Sequence, residues 1–266
     1  MTARSLKLSA NLSFLFTDAP FVERFARAAR AGFRGVEYMS PYDYDPAELA
    51  RLLREHQLLQ VLHNLPAGDW EGGERGIACL PGREIEFRQS VELAIDYARQ
   101  LGCAQLNCLA GVPPDGVPQK AIQATFEANL RHAARRLATY GIRLLVEPIN
   151  SRVDIPGFWL DTPAKAIALI ADLAEANLWL QYDIYHAQVM EGDLARTITA
   201  NIGRIAHFQL ADNPGRHEPG SGEINYPFLL ALLERLGYAG WIGCEYRPLL
   251  PDTDSGLAWA KDWLGA

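Results

Sequence analysis

The sequence has little of what would mark a membrane protein, a disulfide scaffold or a nucleic-acid-binding protein. Its 266 residues contain four cysteines, and no two of them form a Cys-x-x-Cys pair, which argues against a disulfide framework and a structural zinc site. No apolar run approaches the ~20 residues of a membrane span. Acidic residues outnumber basic ones by 32 to 25, for a net charge of −7. The chain therefore offers no broad basic field to phosphates, and we expect neither nucleic acid nor a membrane as partner.

We also expect no targeting signal in the N-terminal segment. It carries charge, but no apolar run long enough for the core of a signal peptide follows it. Because unpaired cysteines persist in reducing surroundings, we expect a cytoplasmic protein with four free thiols.

Several common catalytic motifs are missing as well. The sequence has no Gly-x-Ser-x-Gly elbow and no His-Glu-x-x-His zinc-protease motif. No Gly-x-Gly-x-x-Gly or phosphate-binding loop follows any apolar run. These absences exclude the familiar serine hydrolase, zinc protease and nucleotide-dependent architectures.

What the sequence does contain is a recurring unit, in which a helix-like segment ends at a glycine and a short apolar run follows. The glycines are Gly32, Gly102, Gly141 and Gly237. Glycine suits the left-handed position just after a helix, where the chain turns back into a strand. The unit is typical of alternating helices and parallel strands.

The number of apolar runs predicts the fold. About eight strands are expected, near residues 6–10, 35–38, 58–62, 104–108, 143–147, 178–183, 204–210 and 241–245. Eight units of about 33 residues each have the size of a strand-plus-helix module. We therefore predict an α/β protein, a single (β/α)8 TIM barrel over residues 1–266. An open doubly wound sheet is the alternative, and the missing glycine-rich motif argues against it.

Polar side chains follow the apolar runs, at the end of the barrel where active sites form. Four oxygen-bearing residues end strands five to eight: Glu147, Asp183, Gln209 and Glu245. A ring of such oxygens is what a hard divalent cation requires, and three carboxylates would repel one another without one. We predict Mg²⁺ or Mn²⁺; zinc would prefer nitrogen or sulfur, although His207 could supply one nitrogen.

Some strand-end residues have other interpretations. Taken alone, Glu147 could be a solvated or salt-bridged side chain. For Glu37 the favoured interpretation is a structural ion pair with an arginine. His207 could point inward beside Gln209 or be a hydrogen-bonded core residue. Trp70, in the glycine-rich loop 64–83, is a candidate for a lid.

Six segments of the chain resemble the hydroxypyruvate isomerase family of xylose-isomerase-like barrels. They are residues 9–16, 63–76, 146–150, 182–186, 207–212 and 243–246. The resemblance implies Glu147 and Glu245 as the catalytic pair, and metal binding by these two with Asp183 and Gln209. It also implies that His186 lies near the substrate. Many relatives have His where Gln209 stands, and 2-oxotetronate isomerases share the motifs, so a four-carbon substrate stays open.

The implied reaction interconverts hydroxypyruvate and tartronate semialdehyde through an enediolate, with a metal-assisted hydride shift as the competing route. Because this substrate carries a carboxylate, we expect a local cation. Arg216 and Arg75 are the first candidates and Arg83 the third; a loop ion pair is the competing interpretation for each. The partners in such a pair would be Glu71, Glu74 or Glu218. The full set predicted to contact the substrate is His186, Arg216, Arg75, His63, Asn107 and Trp70.

Three other functions are compatible with a barrel of this kind. A ketose 3-epimerase would use the same acids on a neutral sugar. An abasic-site endonuclease would need several histidines around zinc and a basic face, which six histidines and a charge of −7 do not favour. A barrel that only binds a sugar acid would show no turnover. The resemblance also leaves a homo-oligomer open.

Overall fold

The computed structural model describes residues 6–264, so the first five and last two residues of the predicted domain lie outside it. Eight parallel strands form a closed barrel in the order of the sequence, which confirms the predicted (β/α)8 fold. The strands are β1 (Lys7–Asn11), β2 (Gly35–Tyr38), β3 (Leu59–Asn64), β4 (Gln105–Cys108), β5 (Arg143–Val146), β6 (Leu178–Asp183), β7 (Ile205–Leu210) and β8 (Trp241–Cys244).

Helices surround the barrel. They are α1 (Phe21–Arg30), α2 (Pro46–Glu55), α3 (Glu84–Leu101), α4 (Gln119–Ala138), α5 (Pro163–Leu173), α6 (Ile184–Met190), α7 (Leu194–Asn201), α8 (Tyr226–Arg235) and α9 (Thr253–Gly256), with 3-10 turns at Ile202–Arg204 and Leu257–Ala260. None of the helices between residues 6 and 264 has the length and apolar character needed to cross a membrane.

The helix ends follow from local chemistry. Thr162 caps α5 by accepting a hydrogen bond from the backbone N–H of Lys165, and Pro163 occupies the first turn, as the sequence predicts. After α3, Gly102 has a φ of 67°, the left-handed conformation that lets the chain turn towards β4. The other three glycines of the recurring unit also have positive φ.

The barrel interior contains both apolar and polar side chains. A small buried cluster of Val61, Leu62, Leu145 and Ala206 has Trp179 and Trp241 packed against it. The four cysteines are buried and free, as expected. Polar groups such as Ser9 and Gln209 are also fully buried. The strand-end acids lie at the carboxyl end of the strands.

Candidate active site

The strand-end acids lie close together at the carboxyl end of the barrel, beside one cavity. Glu147 directly follows β5, Asp183 is the last residue of β6, and Glu245 directly follows β8. Glu147, Glu245 and His186 line a cavity of about 250 Å³. All four side chains are buried. A volume of this size accommodates a small molecule of a few carbons.

Glu147 is held by an amide group from the neighbouring strand β4. Asn107 on β4 donates a hydrogen bond from Nδ2 to Glu147 Oε2 at 2.8 Å and another to Asn64 Oδ1 at 3.1 Å. Burial raises the pKa of Glu147 well above its usual value, and the negative charges of Glu245 and Asp183 add to the effect. Asn107 therefore acts on this site through Glu147, whose carboxylate it orients.

Glu245 is held on both of its oxygens. Its Oε2 accepts hydrogen bonds from Asn11 Nδ2 at 2.7 Å and from Gln209 Nε2 at 2.6 Å. Its Oε1 accepts from Arg216 at 2.7 Å. Burial raises the pKa of Glu245 to about 8 even though the charge of Arg216 works in the opposite direction. Two neighbouring carboxyl groups with raised pKa are what proton transfer near neutral pH requires.

Asp183 has one oxygen in use and one free. Its Oδ1 caps α6 by accepting from the backbone N–H groups of Tyr185 and His186. Its Oδ2 is buried and has no hydrogen-bond partner. An unpaired buried carboxylate oxygen is costly unless a ligand satisfies it.

These residues fit a divalent cation. Among residues 6–264, Glu147, Asp183 and His186 are the His, Cys, Asp or Glu side chains that converge closely enough to hold one, with ligand atoms within 4.8 Å of one another. Burial and then the negative charges of Glu245 and Asp183 raise the pKa of Glu147, and a cation at this point would relieve that repulsion and bind the free oxygen of Asp183.

His186 presents an N–H to the cavity. The Oδ1 of Asn150 accepts from the backbone N–H groups of Val153 and Asp154, so its Nδ2 must donate to His186 Nδ1, at 2.7 Å. The proton of the neutral ring then sits on Nε2, which lies 3.8 Å from Asp183 Oδ2. Burial lowers the pKa of His186 to about 4. This tautomer suits a hydrogen-bond donor to substrate better than a metal ligand.

The interpretation of Glu37 as the partner of an arginine is wrong. Glu37 is fully buried and points into the barrel, where Ser9 donates to it at 2.7 Å and His207 Nε2 lies 2.9 Å from its Oε2. Burial would raise the pKa of Glu37, but the charge and hydrogen bonding of His207 and the hydrogen bonds from Gln209 and Ser9 lower it. Closure of the barrel brings β1, β2 and β7 to one point, where an exposed arginine cannot reach.

Gln209 is at the site, with its amide nitrogen facing the carboxylates. Its Nε2 donates to Glu245 and, at 2.9 Å, to Glu37. Its Oε1 accepts from Gln181 Nε2 at 2.6 Å. The side-chain oxygen of Gln209 is therefore already engaged by Gln181. That Gln209 offers this oxygen to a metal stays a prediction.

At the end of strand β3, the predicted His63 and its neighbour Asn64 lie on opposite sides. Asn64 lines the cavity, whereas His63 contacts Tyr42 and the carbonyl of Asn64 through Nδ1. Successive residues of a strand point to opposite sides, so His63 is not a substrate contact in this geometry. Trp70 also lines the cavity and is 36% exposed, as expected of a loop residue over the site.

The predicted arginines have different surroundings. Arg216 pairs with Glu245 and with Asp154, at 2.7 and 2.8 Å, rather than with the loop acids that the sequence suggested. Arg83 pairs with Glu74 and Glu86, so the ion-pair alternative holds for it. Arg75 lines the cavity.

Four residues of the site escaped the sequence analysis: Asn11, Asn150, Asp154 and Arg247. Asn11 and Asn150 carried a usable signal, because Asn11 directly follows the strand predicted at 6–10 and both lie in segments that resemble the family.

Comparison with known proteins agrees with this geometry. Residues 25–263 match the model of a family described as xylose isomerase-like TIM barrel. The chain belongs to this family. It is 54% identical to the hydroxypyruvate isomerase of Escherichia coli (strain K12), over 96% of this chain and 98% of that protein. It is 44% identical to a 2-oxo-tetronate isomerase of Cupriavidus necator, over 97% of this chain and 99% of that protein.

A crystal structure from Brucella melitensis has nearly the same fold. It is described as an AP endonuclease of family 2, with 47% sequence identity and a TM-score of 0.95 over 98% of this chain and 100% of that one. The resemblance to the hydroxypyruvate isomerase family, predicted from the sequence, is thus confirmed.

Proposed function

We propose that this chain is a metal-dependent isomerase that interconverts hydroxypyruvate and tartronate semialdehyde. One observation carries the proposal. Two buried glutamates with raised pKa, Glu147 and Glu245, face one small cavity in a chain 54% identical to a hydroxypyruvate isomerase. We further propose that the protein works in the cytoplasm and that its partner is a small carboxylate-bearing substrate, with a homo-oligomer left open.

The proposed cation is Mg²⁺ or Mn²⁺, held by Glu147 and Asp183, which converge in the structure. Glu245 and Gln209 are the further predicted ligands, and each would exchange a hydrogen bond for the metal. Oxygen donors of this kind are the ligands these ions prefer. The cation would supply positive charge that stabilises the negative charge developing on the substrate oxygens.

The two glutamates divide the proton transfer between them. One carboxylate removes a proton from C3 of hydroxypyruvate, and the other delivers a proton to C2. The hydroxyl proton moves from the oxygen on C3 to the oxygen on C2, which balances the reaction. Strands β6 and β7 separate the strands that carry Glu147 and Glu245, so the two carboxyl groups approach the substrate from different directions. The Nε2–H of His186 donates a hydrogen bond to a substrate oxygen.

The substrate length is tested by turnover. Purified protein is assayed with hydroxypyruvate, with a four-carbon 2-oxo acid and with a neutral ketohexose, each with Mg²⁺, with Mn²⁺ and with chelator. We expect activity on hydroxypyruvate that chelator abolishes and added metal restores. A preference for the four-carbon acid would instead assign the chain to the reaction of its 2-oxo-tetronate relatives, and a preference for the ketohexose would assign an epimerase.

Variants of the two glutamates complete the test. Glu147→Gln and Glu245→Gln remove the proton-transfer groups but keep their size, and each should lower kcat by at least a thousandfold. Glu48→Gln removes an exposed carboxylate on α2 and should leave kcat unchanged. Undiminished turnover in both active-site variants would refute the proposal.

The nuclease description of the Brucella melitensis relative calls for a separate assay. A multi-zinc site would need clustered histidines, and residues 6–264 hold a possible metal group with one histidine, His186. The charge of −7 also disfavours binding to a DNA backbone. We expect no nicking of a duplex with an abasic site; efficient nicking would establish the rival function.

A further inference from the structure

We propose that Arg247, together with Arg75, binds the substrate carboxylate and so selects oxo acids over neutral sugars. This inference rests on the proposed function and adds its specificity determinant. The sequence alone favours Arg216 and Arg75 for this role and gives no signal for Arg247.

Arg216 already forms ion pairs with two acids of the protein. Its two terminal nitrogens each bond an acid, Asp154 Oδ1 at 2.8 Å and Glu245 Oε1 at 2.7 Å. The guanidinium is largely buried between them. Its charge is therefore balanced by the protein, and a substrate carboxylate there would compete with a catalytic glutamate. Its position suits alignment of Glu245 instead.

Arg247 is in the opposite situation. It lies two residues after Glu245 and lines the same cavity. Its backbone is fixed on both sides, because its N–H donates to Arg216 O at 2.8 Å and its carbonyl accepts from His217 Nδ1 at 2.7 Å. Within the described part of the chain its guanidinium has no acidic partner. The backbone at Arg247 is thus fixed, and its exposed guanidinium brings an unpaired positive charge to the cavity.

Arg75 brings a second unpaired guanidinium from another loop. It follows β3 and stacks on Trp70, with its guanidinium carbon 4.1 Å from the ring centroid. One of its nitrogens donates to the carbonyls of Trp70 and Glu74, at 2.9 and 2.7 Å. These bonds fix its direction and leave its charge without an acid among residues 6–264.

The charges of the cavity explain what the two arginines are for. Four carboxylates, those of Glu147, Asp183, Glu245 and Asp154, would face three positive charges, two on the proposed cation and one on Arg216. With Arg75 and Arg247 added, the cavity is left with one uncompensated positive charge. The planar guanidinium fork matches a carboxylate, so a small oxo acid supplies the missing negative charge while its other end reaches the glutamates. A neutral sugar of the same length gains nothing from these groups.

The test compares hydroxypyruvate with dihydroxyacetone, which has CH₂OH in place of the carboxylate. For Arg247→Gln we expect a tenfold to hundredfold rise in KM for hydroxypyruvate, the range of a charge-assisted hydrogen bond. The kcat for hydroxypyruvate should stay within about threefold of the wild-type value. The KM of dihydroxyacetone, or its inhibition constant if it is only a competitive inhibitor, should be unchanged. Arg75→Gln should behave in the same way, and Arg247→Lys should recover part of the affinity because it keeps the charge.

The control is Arg204→Gln, which removes an exposed arginine just before β7, at the opposite end of the barrel, and should change neither constant. If Arg247→Gln lost affinity for the acid and for the neutral compound equally, as a variant damaged in folding would, the specificity role would be overturned. An unchanged KM in Arg247→Gln would overturn it as well. If the wild-type protein turns over no oxo acid, the proposed function itself fails, which is a different result.

Discussion

The buried carboxyl of Glu245 predicts an unusual pH dependence of stability in metal-free protein. Its pKa in the folded chain is about 8, against about 4.5 for an unperturbed glutamate. A carboxyl with a raised pKa stabilises the fold while it is protonated. This contribution is complete below pH 4.5 and is lost as the pH rises through 8.

The size of the effect follows from the shift. One pKa unit corresponds to about 1.4 kcal/mol, so between pH 5.5 and 8.5 this carboxyl should cost the fold on the order of 3 kcal/mol. For a chain of this length, that is roughly 6–12 °C in Tm. Removing the carboxyl should remove this part of the pH dependence.

Thermal melts of the protein in the presence of chelator measure this contribution of Glu245 to stability. The difference in Tm between Glu245→Gln and the wild-type protein cancels all other titrating groups, and it should move by 6–12 °C in favour of the variant from pH 5.5 to 8.5. The exposed control Glu48→Gln should show a flat difference. With saturating Mg²⁺ or Mn²⁺ the ranking should reverse, since only the wild-type protein keeps all three carboxylates. A flat or opposite difference for Glu245→Gln in chelator would refute the electrostatic reasoning.

Three further outcomes are expected. Asn107→Ala removes the donor to Glu147 Oε2 and should lower kcat tenfold to hundredfold in steady-state assays; an unchanged kcat would deny Asn107 an orienting role. Arg83→Gln breaks the partly exposed pairs with Glu74 and Glu86 and should cost less than about 1 kcal/mol in chemical denaturation, with a larger loss contradicting a surface role. Turnover in D₂O, followed by NMR at early times, should place deuterium on C2 of the product; complete retention of the substrate hydrogen would favour a hydride shift.

Much of the site could be predicted because its signals are local. A short apolar run followed at once by Glu147, Asp183 or Glu245 marks the carboxyl end of a buried parallel strand. Helix-ending glycines such as Gly102 mark where the next strand begins. Strand count and strand-end chemistry together were enough to give both the barrel and its acidic rim.

The contacts that sequence reasoning missed depend on closure of the barrel. Glu37 meets His207 and Gln209 across the interior, and no local pattern shows which inward side chains from distant strands will touch. Arg216 bonds Asp154, 62 residues away in the chain, so its pairing could not be inferred from the acids in its own loop. The tautomer of His186 depends on the orientation of the Asn150 amide, which only the folded turn after β5 fixes.

Glu147, Asp183 and Glu245 are proposed to hold one divalent cation at which a small oxo acid is isomerised. Anomalous diffraction from crystals grown with Mn²⁺ can locate this cation. We expect a single strong peak bonded to carboxylate oxygens of all three residues and lost in crystals of Asp183→Asn. A map without a peak at these residues, from protein that still turns over hydroxypyruvate in the same Mn²⁺ solution, would contradict it.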